Sequence, residues 1–356
     1  MAIKPTQLGV RFLFEQNHTF AVPKYQRGYA WDDDAIDDFI KDISRCLKTR
    51  EAGNEKSHFF GGVVTIRMPV PNSNRSNYEV IDGQQRLASF VMFVAAIVKG
   101  MANLTGELAA KGSLSSEEEK AKKYLEDTVV SLRQLYLTYR DEIELEYVEE
   151  PKLTLSDADN QFFQSIIEGK KAKPERASHK RISAAWERLL GFVEDDILKG
   201  GTASEKAKRL QVLLNSVLAT DCTVIFMCSE TRAEAYQIFQ VLNDRGVHLT
   251  DGDLLRASTM ELLDSKPLTA IQEKLSERWD SVLAYPPTEI DSYLRWYYSS
   301  REGKRPKSSN LTDQFLEFRF NCKDKTALTK LEAQAILDEV ERIDADLPRD
   351  FSSRRD

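Results

Sequence analysis

The sequence predicts an α/β fold followed by a mostly helical region: a small α/β domain over residues 1–105, then a larger helical domain over 106–356. Three observations predict it. Short β-branched runs at 19–22, 58–68 and 78–81 punctuate the first part of the chain. A long apolar run starts at Gly83, directly after the last of them. Beyond residue 110 the periodicity is helical almost throughout, with one β-branched run at 222–228.

Taken in order, residues 10–15 read as a short helix and 19–22 as a short strand stopped by Pro23. Pro23-Lys24-Tyr25-Gln26-Arg27-Gly28-Tyr29-Ala30-Trp31 is a loop dense in aromatic and hydrogen-bonding side chains. Ile36, Phe39, Ile40, Ile43 and Leu47 then recur at helical spacing and form one buried stripe. Asp32, Asp33 and Asp34 stand at the start of that helix, where its dipole favours carboxylates. The run 58–68 contains Gly61-Gly62 and reads as a strand with a close backbone approach. A turn-rich loop leads to the return strand 78–81, and a helix runs from Gly83 to about residue 104. Residues 111–120 read as a linker or exposed loop. Helices are expected at 119–138, 157–168, 176–199, 204–219, 231–243 and 251–263, and the stretch 268–346 is helical with a break at Pro286-Pro287. No repeat of fixed period is visible.

Composition narrows the class. With 41% hydrophobic and 30% charged residues the chain reads as an ordinary globular protein. The longest apolar run, around 90–98, is short for a bilayer, and the N-terminal MAIKPTQLGV lacks the apolar core of a secretory signal. Cys46, Cys222, Cys228 and Cys322 are scattered without a CxxC pair, so a reducing cytoplasm is expected, with no membrane partner. The net charge of −7 argues against a generally basic DNA-coating protein but leaves room for a local groove. Two basic stretches stand out. One is Lys170, Lys171, Lys173, Arg176, Lys180 and Arg181. The other is Arg295, Arg301, Lys304, Arg305 and Lys307, beside Trp296, Tyr297 and Tyr298. Each is readable as a solvated face; the second is the better nucleic-acid candidate, because rings beside arginines can stack bases. No GxxxxGK[ST] run exists, which excludes a P-loop, and no GxSxG elbow favours a serine hydrolase.

The chemistry concentrates at Asp82-Gly83-Gln84-Gln85-Arg86, where a strand passes into the long helix. Asp82 reads as the N-cap, with Gln85 as its capping-box partner. Gly83 allows close approach to the backbone, and the amides of a helix start favour an anion. Arg86, one turn in, can grip phosphate oxygens, and Gln84 can orient a phosphate or a water. The plain alternative is a capped helix whose Arg86 makes a structural ion pair. A second junction, Asn243-Asp244-Arg245-Gly246, ends one helix with a left-handed turn. Thr250 and Asp253 then cap the next, leaving Asn243 and Arg245 on a tight polar loop.

These patches together resemble one family. Residues 22–31, Val-Pro-Lys-Tyr-Gln-Arg-Gly-Tyr-Ala-Trp, are similar to its VPxYQRxYxW signature. Phe59-Phe60-Gly61-Gly62 with Val80-Ile81-Asp82-Gly83-Gln84-Gln85-Arg86-Leu87 is similar to its FxGG…VIDGQQRL signature. Residues 238–257 are similar to its IFxxLNxRGxxLxxxDLLR signature. The family is the GmrS-type DGQQR domain, the N-terminal half of GmrSD-like modification-dependent restriction proteins, and the resemblance is nearest to its SspE-like, phosphorothioate-sensing branch. It implies a ParB-like fold in the α/β domain and Mg²⁺-supported binding and hydrolysis of an NTP, GTP or ATP. Asp82, Gln84 and Arg86 would be catalytic; Gly83, Gln85, Asn243 and Arg245 would bind nucleotide. Asp82 is left between helix cap and Mg²⁺ ligand. Pro23, Tyr25, Gln26, Arg27, Tyr29 and Trp31 would sense the modification, because sulfur is less strongly hydrated than oxygen and suits a partly apolar pocket beside a cation. Tyr25 and Trp31 are equally readable as core anchors of the loop.

The expected partners are modified double-stranded DNA and an HNH-type nuclease domain or subunit missing from this chain. His18, His58, His179 and His248 are too dispersed for an HNH site, so no nuclease activity is expected here. The chain is expected to be the N-terminal part of a longer nuclease, with a separate nuclease subunit as the alternative. A homo-oligomer stays open. The rival functions are a GmrSD-type module acting on glucosylated hydroxymethylcytosine DNA, and a nucleotide-binding DNA adaptor without turnover.

Overall fold

The computed structural model describes the chain apart from residues 1–4, 16, 25, 69, 71–74, 144–145, 231–234, 236–249, 264–265, 307–310, 324 and 348–356. It divides into two compact units. One comprises Met1–Pro23 and Gly28–Phe239, the other Lys24–Arg27 and Gln240–Asp356.

The first unit is built on a mixed six-stranded sheet. Its strands are β1 (Thr6–Gly9), β2 (His18–Ala21), β3 (His58–Met68), β4 (Ser76–Asp82), β7 (Leu153–Thr154) and β8 (Cys222–Ser229). They lie in the order β1-β8-β3-β4-β2-β7; β5 (Thr138–Ile143) and β6 (Glu146–Pro151) form a separate hairpin. β3 runs antiparallel to β4 and parallel to β8, while β2 runs parallel to both β4 and β7. The helices of the unit are α1 (Val10–Glu15), α2 (Asp33–Glu51), α3 (Gln84–Ala109), α4 (Ser116–Leu132), α5 (Asp157–Ile167), α6 (Ala177–Phe192) and α7 (Ala203–Val212).

Local chemistry explains the helices that frame the site. Asp32 caps α2, its carboxylate accepting the Ala35 amide at 3.0 Å, and the α2 stripe is buried through Ile36, Phe39, Ile43 and Leu47. α3 packs against α4, α5 and α6, which is why its apolar residues run all round it rather than in a stripe. By length and composition α3 could cross a membrane, so the sequence-level test on residues 90–98 was too narrow. Its most apolar window is nonetheless 83% buried within the fold, as befits a core helix. Phe39, Phe60 and Phe90 meet at ring separations of 4.8–5.4 Å and join α2, β3 and α3. Each buried phenylalanine contributes roughly 1.5–3 kcal/mol. At the far end of α2, Arg50 grips the buried Asp221 at 2.6 and 2.7 Å, tying that helix to the start of β8.

Several expectations need correction. The compact units do not divide at 105/106. The run 222–228 is not an isolated strand of a helical domain: as β8 it fills the gap between β1 and β3. The helices before it belong to the same compact unit as the sheet, and that unit is the larger of the two. Residues 116–120 belong to α4, started by a Ser115–Glu118 capping box, rather than to a linker. β1, β7 and the β5–β6 hairpin were not anticipated, because short strands without clear alternation leave little periodicity to read.

The second unit is mostly helical. Asp251–Leu262, Thr269–Val282, Pro287–Glu302 and Lys330–Asp346 are its longer helices, and Trp279, Tyr297, Tyr298 and Phe315 are buried among them. The expected capping box is present: Thr250 Oγ1 accepts the Asp253 amide at 2.9 Å, and Asp253 accepts the Thr250 amide at 3.1 Å. Asp251 also accepts from Arg295 at 3.0 Å and from Thr312 at 3.1 Å, while its amide donates to Asp291 at 2.8 Å.

Burial, followed by the nearby Asp251 charge, raises the Asp291 carboxyl from 3.8 to about 6. The folded form therefore binds more protons than the unfolded form between about pH 4 and pH 6. Stability linked to Asp291 is fully present below that window and is lost as pH rises through it, by up to about 3 kcal/mol. Asp291→Asn keeps an acceptor for the Asp251 amide without the charge. Chemical denaturation from pH 4 to 7.5 should show the variant gaining on the wild type as pH rises through 4–6. A difference that does not change with pH would refute the assignment.

Candidate functional site

At the Asp82–Arg86 junction the chain packs closely on the glycine pair of β3, with Gly83 against backbone and Arg86 against Gly61. Gly61 has φ +101° and sits where the β3–β8 register shifts between Phe59 and Gly62. A Cβ on Gly61 would lie 2.9 Å from the Arg86 Cζ. Gly83 has φ +93°, and a Cβ there would lie 3.0 Å from the Gly62 carbonyl oxygen and 3.1 Å from a Val63 methyl. The Phe-Phe-Gly-Gly and Asp-Gly-Gln-Gln-Arg segments thus need glycine at the points where they meet.

Gly83, in the left-handed conformation, is the N-cap of α3, and no side chain caps the helix. The expected Asp82–Gln85 capping box is therefore absent. A left-handed residue inserted after Asp82 ends β4 there and starts α3 one residue later, so Asp82 belongs to the strand. The first hydrogen bond of the helix is Leu87 N–H to the Gly83 carbonyl at 3.0 Å. Amides of the turn before it have no acceptor within the helix.

Arg86 lies across the glycine bulge. Its Nη1 donates to the Gly62 carbonyl at 2.9 Å and stands 3.6 Å from Asp82 Oδ2, with the side chain 30% exposed and that of Asp82 24% exposed. The guanidinium is neither sealed inside nor free; it is a half-open cation with a carboxylate partner one turn back. Gln84 is half-buried.

Gln85 has a different role in this conformation. Its Oε1 accepts the Ala30 amide at 2.8 Å and its Nε2 donates to the Gly28 carbonyl at 3.3 Å, so both ends of the amide grip the aromatic loop. One turn further along α3, Ser89 shares a 2.8 Å hydrogen bond with the Tyr29 hydroxyl. Burial pushes the Tyr29 phenol above its ordinary range. Tyr29 is only 3% exposed, and the half-buried Trp31 packs its ring 5.9 Å from Phe39. Two of the expected sensing aromatics are therefore loop anchors here. Pro23 and Gln26 are half-buried and Arg27 is exposed. Tyr25, Asn243 and Arg245 lie outside the described residues.

Sequence reading missed a further anchor. Asp159 on α5 is fully buried, accepts the Tyr29 amide at 2.7 Å and accepts the Ser178 hydroxyl at 2.5 Å. Nothing in the sequence marks Asp159 beyond its place in the first turn of a helix, 130 positions from the loop it holds.

The basic stretches are only partly available. Arg295 pairs with Asp251 and Arg301 with Asp346, and Tyr297 and Tyr298 are fully buried, which removes them as stacking surfaces. Trp296 is 58% exposed, Lys304 lies 4.5 Å over the exposed Phe318 ring, and Lys307 is outside the described residues. In the first stretch Lys170 pairs with Glu168 at 2.5 Å, and the other cations are exposed. Among the described residues no group of three or more His, Cys, Asp or Glu is placed to hold a metal ion.

The glycine requirement is directly testable. Gly61→Ala and Gly83→Ala should each cost about 1–2 kcal/mol from the left-handed backbone alone, roughly 2–8 °C in melting temperature. Gly112→Ala, whose added methyl group would meet nothing within 4 Å, should be neutral. Melting temperatures of all three variants within a degree of wild type would refute the crowding account.

Comparison with curated proteins gave no match. A family profile described as the N-terminal domain of the GmrSD restriction endonuclease matches residues 10–260. The matched span takes in the sheet apart from β1, the glycine bulge, the aromatic loop and the Asp82–Arg86 junction, and covers well over half of the chain. The chain therefore belongs to the GmrSD restriction-endonuclease N-terminal-domain family.

Proposed function

We propose that this chain is the NTP-binding and NTP-hydrolysing sensor module of a modification-dependent antiphage restriction system, reading phosphorothioate-modified DNA and controlling a nuclease domain or subunit. Its α/β unit is read as ParB-like. The observation that carries the proposal is the half-exposed Arg86 guanidinium laid on a glycine bulge at the start of α3. A helix start supplies outward amides, the glycines let a ligand approach the backbone, and the guanidinium supplies positive charge.

In this reading Arg86 stabilises charge on the transferred phosphoryl group and Gln84 orients a phosphate oxygen or the attacking water. Asp82, displaced from the cap by Gly83, is the carboxylate for Mg²⁺. A single carboxylate fits, because Mg²⁺ commonly takes one or two together with phosphate oxygens and waters. When bound, the ion would neutralise phosphate charge. Gln26 and Arg27 offer donors to the DNA backbone, and Pro23 and Tyr25 offer the apolar surface that sulfur prefers. The anchored Tyr29 and Trp31 shape the loop.

Phosphate release from GTP and from ATP with Mg²⁺ tests the enzymatic half. Arg86→Ala should lower turnover by about 10²–10³-fold. Binding to phosphorothioate, glucosylated and plain duplexes, each with and without nucleotide, tests the sensing half. Nucleotide bound without turnover would make the chain an adaptor, and preference for glucosylated DNA would move it to the other branch. Absence of nucleotide binding would reduce the junction to a scaffold.

A further inference from the structure

The loop that carries Gln26 and Arg27 is held at its C-terminal half by a buried carboxylate from a distant helix. Asp159 has no exposed surface, and among the described residues the basic side chain paired with it is His179, with Nε2 at 3.6 Å. His179 is fixed in one tautomer: Nε2 faces the Ala158 carbonyl at 2.9 Å and so carries the proton, while Nδ1 accepts the Glu175 amide at 3.2 Å. It is also stacked on Phe162 at 4.3 Å. His179 therefore braces the turn around Asp159. The Asp159 oxygens are divided between two donors, the Tyr29 amide at 2.7 Å and the Ser178 hydroxyl at 2.5 Å.

Gly28 shows how tight this seat is. A Cβ there would lie 2.7 Å from Asp159 Oδ2 and 3.0 Å from the Ser178 Cβ. Gly28 does not have a positive φ, so space and not backbone conformation excludes a side chain. The loop backbone is pressed onto the carboxylate directly after Arg27.

We propose that Asp159, with Ser178 behind it, is a positioning residue for modification sensing: it fixes the loop backbone at Gly28 and Tyr29, the residues that follow Arg27. This rests on the reading of the loop as the sensor of modified DNA. Among the described residues Asp159 accepts from Tyr29 and Ser178 and not from Arg86, so its loss should change discrimination between duplexes.

The test uses the 356-residue chain and two duplexes, phosphorothioate and plain, with discrimination read as the ratio of their Kd values. Asp159→Ala should lower that ratio about tenfold or more. Asp159→Asn should restore most of it, since the amide can accept from Tyr29 and donate to Ser178. Gly28→Ala leaves Asp159 intact but pushes the loop off it, and should lower the ratio as Asp159→Ala does; it serves also if Asp159→Ala fails to fold. Folded Asp159→Ala or Gly28→Ala protein with wild-type discrimination overturns the anchor while the sensing reading stands. An Asp159→Asn protein as poor as Asp159→Ala overturns it too, by showing that charge rather than backbone positioning matters. A wild type without discrimination removes the sensing reading, and the anchor with it.

Discussion

The close packing of two stretches of backbone sets the rest of the first unit. A Cβ on Gly83 would lie 3.0 Å from the Gly62 carbonyl oxygen and 3.2 Å from the Val63 Cα, and one on Gly61 would lie 2.9 Å from the Arg86 guanidinium. That contact fixes the exit angle of α3 from the sheet, and α3 is the helix around which the unit packs. Its buried residues extend from Leu87 to Leu108, so turning it to relieve a local clash would disturb apolar contacts along its whole length. The first two turns of α3 carry Gln84, Gln85, Arg86 and Ser89, and they follow directly on Gly83.

Those turns face two ways. Arg86 lies toward the bulge, and Gln85 and Ser89, four residues apart and so on one face, hold the aromatic loop. Neighbouring residues on a helix differ by about 100° in direction, and a single Gln-Gln-Arg sequence can serve both sides of the helix. The loop is then gripped again by Asp159. A buried carboxylate is costly unless it is well hydrogen-bonded, and here the Tyr29 amide and the Ser178 hydroxyl are its donors.

Legibility in the sequence followed period and length. α2, β3 and α3 announced themselves, because a stripe at helical spacing, a β-branched run and a long apolar run are strong local signals. The Gly61-Gly62 pair was readable as a backbone approach, although its counterpart at Gly83 reads in sequence as the first helical residue instead of the cap. Pattern alone could not show that β8, more than 150 residues after β3, would pair with it, since strand partnership is set by the whole topology. That error moved the expected domain boundary. Asp159 was invisible for the same reason: its partner is remote in the chain, and an aspartate in the first turn of a helix is ordinary. Gln85 was misjudged because a capping box and a loop clamp place the same residue at the same position, and only the conformation of Gly83 separates them.

That conformation also bears on the charge at the site. Had Asp82 capped α3, its carboxylate would be committed to the helix amides, and the positive end of the helix would be partly neutralised by its own chain. With Gly83 in the left-handed region the carboxylate stays on the strand, 3.6 Å from Arg86. Such a half-exposed pair is weakly held, worth no more than about 1 kcal/mol. Under the proposed function this weakness is useful. A phosphate competing for Arg86 has little to displace, and a cation accompanying that phosphate gives Asp82 a new partner. The pair can therefore separate without leaving either charge alone, whereas a tight buried bridge in the same place would hold the guanidinium away from any ligand.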